Sequence, residues 1–199
     1  LEKLDEIYNS PFQKGKRHDD IPALKEKLNL MGFGYITVTT LYGDYTAKKV
    51  KDFQRFVGMK DNGIADKLTI QKLDELVESG YKQGDRHSNL KDFKRDLNRL
   101  DFGYITVTDY FGSFSEKKVK EFQNYYGLTD TGRLNGETLQ KLTDIVNSPF
   151  QEGKRHDDTI QLKERLNNLG FGYITISTLY GNFTERQVKA FQEYYGLKA

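Results

Sequence analysis

Gly15-Lys16-Arg17-His18 returns as Gly84-Asp85-Arg86-His87 and again as Gly153-Lys154-Arg155-His156. His18, His87 and His156 are the three histidines of the chain, so any imidazole chemistry belongs to these clusters. A metal site needs three or four converging ligands. Each cluster offers one His, no Cys, and neighbouring acids (Asp19 and Asp20, Asp157 and Asp158) that suit the cap of a helix. In the second cluster the neighbours are Ser88 and Asn89, which cap well and ligate poorly. Nucleophilic catalysis finds no support: the chain has no cysteine, and no Ser recurs beside a His with an acidic partner. We read no enzyme, no catalytic metal and no cofactor here. Arg17, Arg86 and Arg155 are the more ligand-like members, since a guanidinium grips a carboxylate with two parallel N–H bonds. A salt bridge to a helix cap or a neighbouring copy would occupy them equally well. Tyr35, Tyr104 and Tyr173 form the second candidate set, each within Phe-Gly-Tyr-Ile-Thr. A tyrosine ring offers a flat apolar face with a polar tip, which suits a sugar; it also suits the closing of a small core.

Both sets recur at an offset of 69 residues, without insertion or deletion, so the architecture is a tandem repeat. Each copy reads as three short helices. The first starts near Asp19-Asp20, has Pro22 in its first turn, sets Leu24, Leu28 and Met31 on one face, and ends at Gly32. The second is expected to start at Thr46, whose hydroxyl can cap it, with Val50, Phe53 and Val57 as its apolar face and Gly58 as its stop. The third starts around Asp66 or Thr69, carries Leu73, Leu76 and Val77, and stops near Gly80. Between the first two helices runs Gly34 to Thr40, β-branched and alternating, which predicts an extended segment or short strand. Gln54 and Asn29, with their counterparts, are expected to bond loop backbone. The fold class is therefore all-α: small three-helix modules in series, each with a short extended segment, held by mutual burial of three apolar faces.

Composition narrows the partners. Lys plus Arg is 31 against 29 for Asp plus Glu, a net charge of +2 spread along 199 residues. Nucleic-acid binding would need a concentrated basic face, so no nucleic-acid partner is expected. No apolar run approaches the length of a membrane span, and the opening Leu-Glu-Lys-Leu-Asp-Glu-Ile-Tyr is amphipathic and unlike a signal peptide.

The pattern Leu24-x-x-x-Leu28-Asn29-x-x-Gly32-Phe33, then Tyr42-Gly43-x-x-Thr46-x-x-x-Val50-x-x-Phe53-Gln54, then Gly58-Met59-x-x-x-Gly63 and Thr69-x-x-x-Leu73 resembles the peptidoglycan-binding-like domain family. The resemblance covers nearly the whole chain, three times over. Two departures lie on the loop side. Thr39-Thr40 stands where the family often has Asp-Gly, and the first connection is longer than usual. What the resemblance implies is attachment to peptidoglycan or another cell-wall glycopolymer, in an extracellular, wall-associated setting, as part of a larger secreted protein. A structural stalk with no ligand of its own is the alternative. Residues 13–81, 82–150 and 151–199 are expected as modules 1 to 3, the last without its third helix, after an orphan third helix at 1–12. Head-to-tail self-association through these incomplete ends is a further expectation.

Overall fold

The structure, a computed structural model of the chain, describes residues 10–198. The described residues are all-helical: α1 (Ile21–Leu30), α2 (Asp44–Phe56), α3 (Lys67–Ser79), α4 (Leu90–Arg99), α5 (Ser113–Tyr125), α6 (Gly136–Val146), α7 (Asp158–Asn168) and α8 (Asn182–Tyr194). They form two compact units, unit 1 ending at Val146 and unit 2 beginning at Asn147. The helix expected at the start of the chain falls largely outside the described residues.

Local chemistry sets the helix ends, in part differently from expectation. Asp66 caps α3 as its sequence position suggests, accepting hydrogen bonds from the Thr69 N–H and hydroxyl at 2.8 and 2.6 Å. Asp20 occupies the N-cap of α1, but its side chain makes no cap bond. The Nδ1 of His18 instead accepts the Asp20 N–H at 3.2 Å, and His156 does the same for Asp158. The histidine therefore takes over a role assigned to the acids, because its ring reaches forward to a free N–H two residues on. Thr46 is no cap either. The second helix begins two residues earlier, after the extended Gly43, and Thr46 is buried within its first turn. Residues 34–40 form no strand; next to this segment lies an isolated antiparallel bridge, Arg17 to Leu41, with counterparts Arg86 to Tyr110 and Arg155 to Leu179.

In unit 1 the third helix packs on the pair that precedes it. Gln54 Nε2 of α2 donates to Thr69 Oγ1 of α3 at 3.1 Å, and Lys27 of α1 meets Asp74 of α3 at 2.6 Å. Leu28, Val50, Phe53 and Leu73 are all fully buried, with the Phe33 ring edge-on to Phe53 at 5.3 Å. The second copy repeats this with Leu97, Val119, Phe122 and Leu142. The two copies share one core, since α6 packs on α1 and α3 as well as on α4. Their joint is specific. The Tyr81 hydroxyl donates to the Met31 carbonyl at 2.6 Å, and the His87 ring lies 4.6 Å from Phe33 and 5.1 Å from Phe56. Gly32, left-handed at φ +79°, faces the Asn89 side chain so closely that any Cβ would collide with it. In unit 2, Leu166 is buried between α7 and α8, but Val188 and Phe191 are only half-buried. The expected core equivalence thus holds for two copies and only partly for the third, where no helix covers this face among the described residues.

Burial pushes the His87 imidazole below its ordinary value, with smaller opposing contributions from Asp52, which raises it, and Lys49, which lowers it. The unfolded chain therefore binds a proton near pH 6.5 that the folded joint resists. Unit 1 should lose stability as pH falls below about 6.5, ahead of carboxylate protonation. Urea midpoints measured between about pH 6.5 and 5 should fall for the wild type and stay flat for His87→Gln.

Candidate functional site

The segment between the first two helices of each copy is tied down by side chains on three sides. Asn29 uses both ends of its amide on one residue: Ile36 N–H donates to its Oδ1 at 2.8 Å, and its Nδ2 donates to the Ile36 carbonyl at 2.8 Å. Asn98 with Ile105, and Asn167 with Ile174, repeat the pair. The Ile36 side chain drops into the core. From below, the buried Lys25 ammonium donates to the Thr37 and Thr39 carbonyls at 3.1 and 2.9 Å and to the Thr39 hydroxyl at 3.0 Å. Lys94 and Lys163 do likewise for their own loops. Desolvation lowers the pKa of all three lysines. An ammonium moved out of water is tolerated only when its donors are satisfied, and here backbone carbonyls do that in place of a carboxylate. Reading the sequence missed this residue. The available signal was a lysine identical in all three copies, directly beside the apolar face of the first helix.

The consequence falls on the tyrosines. With Ile36 anchored, the alternation of extended chain turns residue 35 outward. Tyr35, Tyr104 and Tyr173 are 90%, 98% and 100% exposed. They close no core. The arginines sit at the other end of the segment, exposed, each bridged through its backbone to residue 41 or its counterpart. The Arg17 Nη1 is 3.5 Å from the Thr40 hydroxyl. Arg86 pairs with Asp109 at 3.1 Å and lies 4.8 Å over the Tyr110 ring. Thr40 and Thr178 replace Asp109 in the other copies, so that pairing belongs to copy 2 alone. Gln54, as expected, holds the loop after the second helix: its Nε2 donates to the Ile64 carbonyl at 2.9 Å, and its Oε1 accepts the Gly63 N–H at 2.9 Å.

Three segments of the chain, 17–73, 86–142 and 155–199, match the family described as "Putative peptidoglycan binding domain". The chain belongs to this family. Part of the chain also matches curated relatives named "Probable CtpA-like serine protease" from Staphylococcus aureus. Identity is 30% over 104 residues for strain MSSA476 and for strain MW2, covering 52% of this chain and 20% of the relative. For strain COL it is 29% over the same length. The chain thus spans about a fifth of the length of these relatives. Among the described residues no group of three His, Cys, Asp or Glu is placed to hold a metal ion, and no helix is long and apolar enough to cross a membrane.

The loop between the first two helices gives a direct stability test. Asn29→Ala leaves the Ile36 N–H and carbonyl without partners beside a buried side chain. A loss of about 1–3 kcal/mol is expected, the usual cost of stranding such groups. Chemical denaturation of unit 1 measures it, and a cost near zero would mean that water replaces the amide freely.

Proposed function

We propose that the chain is a non-catalytic, wall-directed binding array that targets or anchors a larger secreted protein to peptidoglycan. The observation that carries this reading is the near-complete exposure of Tyr35, Tyr104 and Tyr173 on loops that each copy fixes with a buried lysine and a two-point asparagine clamp. Fixing a loop so firmly while leaving its aromatic tip in water gains the fold nothing at the ring itself. A ring presented to solvent from a fixed backbone suits sugar stacking, since little loop freedom is left to lose on binding. In this reading Arg17, Arg86 and Arg155 meet carboxylates at the loop base, and three weak, similar sites add through linkage. Membership of a peptidoglycan-binding family supports the ligand class.

A second reading is a spacer. The shared core of copies 1 and 2, locked by Tyr81 and His87, favours it as a rigid joint. Co-sedimentation of the purified chain with insoluble peptidoglycan sacculi separates the two. Pelleting that weakens at high salt supports the array; a folded chain that stays in the supernatant supports the spacer. Head-to-tail self-association has one favouring observation, the exposure of Leu169, Tyr194 and Leu197 on unit 2. A concentration-dependent sedimentation coefficient would support it, and a constant one would remove it.

A further inference from the structure

The third turn of the second helix carries a lysine in every copy: Lys51, Lys120 and Lys189. Four residues earlier stand Ala47, Glu116 and Glu185. In copies 2 and 3 the glutamate meets the lysine across one helical turn, Lys120 to Glu116 at 3.0 Å and Lys189 to Glu185 at 3.2 Å. In copy 2 the stems of both side chains lie against Gly132, where a Cβ would sit 2.6 Å from Glu116 Cγ and 2.7 Å from Lys120 Cε. Copy 1 repeats the glycine as Gly63 and lays the Lys51 stem against it in the same way, 2.9 Å from Cε to the Cβ position. Ala47 leaves the place of the glutamate empty. A cleft of about 460 Å³ opens there, lined by Lys14, Asp44, Ala47, Lys48, Lys51 and Gly63 among others. Lys14 pairs with Asp44 at 2.5 Å, while neither Lys48 nor Lys51 makes an ion pair among the described residues.

We infer that this cleft in copy 1 is a binding site for a ligand carboxylate. The carboxylate of Glu116 occupies the corresponding place in copy 2, so the chain itself shows which group fits there and which cation receives it. Lys51 is the primary contact. Lys48, on the same helix and unpaired, supplies the second positive charge, and the Lys14–Asp44 pair closes one wall without net charge. The site is separate from the tyrosine loops, and it makes copy 1 different from the other two. Two carboxylates suit the wall-directed reading on which the choice of probes rests: the free C-terminus of a short wall peptide and the acid group of a muramic sugar.

The experiment titrates the intact chain, isotope-labelled for NMR, with N-acetyl-D-alanyl-D-alanine, with its C-terminal amide, and with N-acetylmuramic acid. One exposed ion pair alone falls well short of a millimolar Kd, so the millimolar affinity expected here requires Lys48 and the cleft walls to contribute beside Lys51. At least one of the two acids should shift the amide resonances around Ala47 and Gly63, and the tighter of them identifies the source of the carboxylate. The amide-blocked peptide should leave these resonances in place. Ala47→Glu fills the cleft with the group that copies 2 and 3 carry, adds an i, i+4 pair to a helix surface, and should weaken binding at least tenfold. Glu116→Ala should bring the resonances around Gly132 under the same titration. Shifts induced equally by the blocked peptide, undiminished binding by Ala47→Glu, or no response to either acid would overturn the site. Sacculus pelleting retained by Ala47→Glu separates this site from the tyrosine-loop reading, because the two can fail independently.

Discussion

Phe53→Ala should lower the stability of unit 1 by about 3–5 kcal/mol, the range for removing a large aromatic from a close-packed core. Phe53 is fully buried and meets the edge of Phe33, and Phe33 in turn meets Phe56 at 5.5 Å and His87 at 4.6 Å. The vacancy would open between helices whose other attachments run through the same rings, which limits relaxation. Two further features shape the result. Copies 1 and 2 share a core, because α6 packs on α1 and α3 and Tyr81 bonds the Met31 carbonyl. The loss should therefore appear as one cooperative shift covering both copies rather than as early melting of copy 1 alone. Phe191, the counterpart in unit 2, is only half-buried, so Phe191→Ala should cost less and should act on unit 2. Calorimetry of the two variants measures both points. A loss below about 1 kcal/mol for Phe53→Ala would contradict the core assignment. With total stabilities of about 5–15 kcal/mol for small domains, a loss of the expected size is a large share of the whole.

Replacing Tyr35, Tyr104 and Tyr173 together by Ala should reduce sacculus binding by about a hundredfold while leaving the fold almost untouched. Each ring is worth about 1 kcal/mol as a stacking partner. Three such losses in a linked array multiply, because each site contributes to one avidity. Stability should change little, within about 0.5 kcal/mol per site, since the rings are 90–100% exposed and the clamps on Ile36 and its counterparts remain. Single substitutions should give intermediate losses. Co-sedimentation with sacculi measures the affinity, and circular dichroism confirms that the variant is folded. A folded triple variant that binds like the wild type would take the tyrosines out of the site and favour the spacer. The corresponding Arg17, Arg86 and Arg155 triple variant should reduce binding mainly at low salt, since exposed charges are screened within about 10 Å at 0.1 M salt.

Much of the architecture was legible in the residues themselves. A constant 69-residue offset, apolar positions spaced at three and four, and Gly32 and Gly58 after the last turns are local properties, and local helix periodicity survives into the fold. Asp66 as a cap and Gln54 and Asn29 as loop-holding amides were also visible, because each acts within about ten residues of chain. What the sequence could not decide was anything that depends on which surface lies opposite. Whether Tyr35 closes a core or faces water depends on Ile36 being anchored by Asn29, a choice between two faces of an extended segment. Lys25 carries no local sign of burial; its burial follows from the loop folding back over the first helix and aiming three oxygens at one ammonium. The three histidines each follow Gly-x-Arg, yet His87 is wedged between Phe33 and Phe56 of the preceding copy. Composition supplied the helices and the candidate residues. The tertiary structure alone decided their exposure, because burial is set by neighbours distant in sequence, and it was exposure that turned the tyrosines from packing residues into the centre of the proposed site.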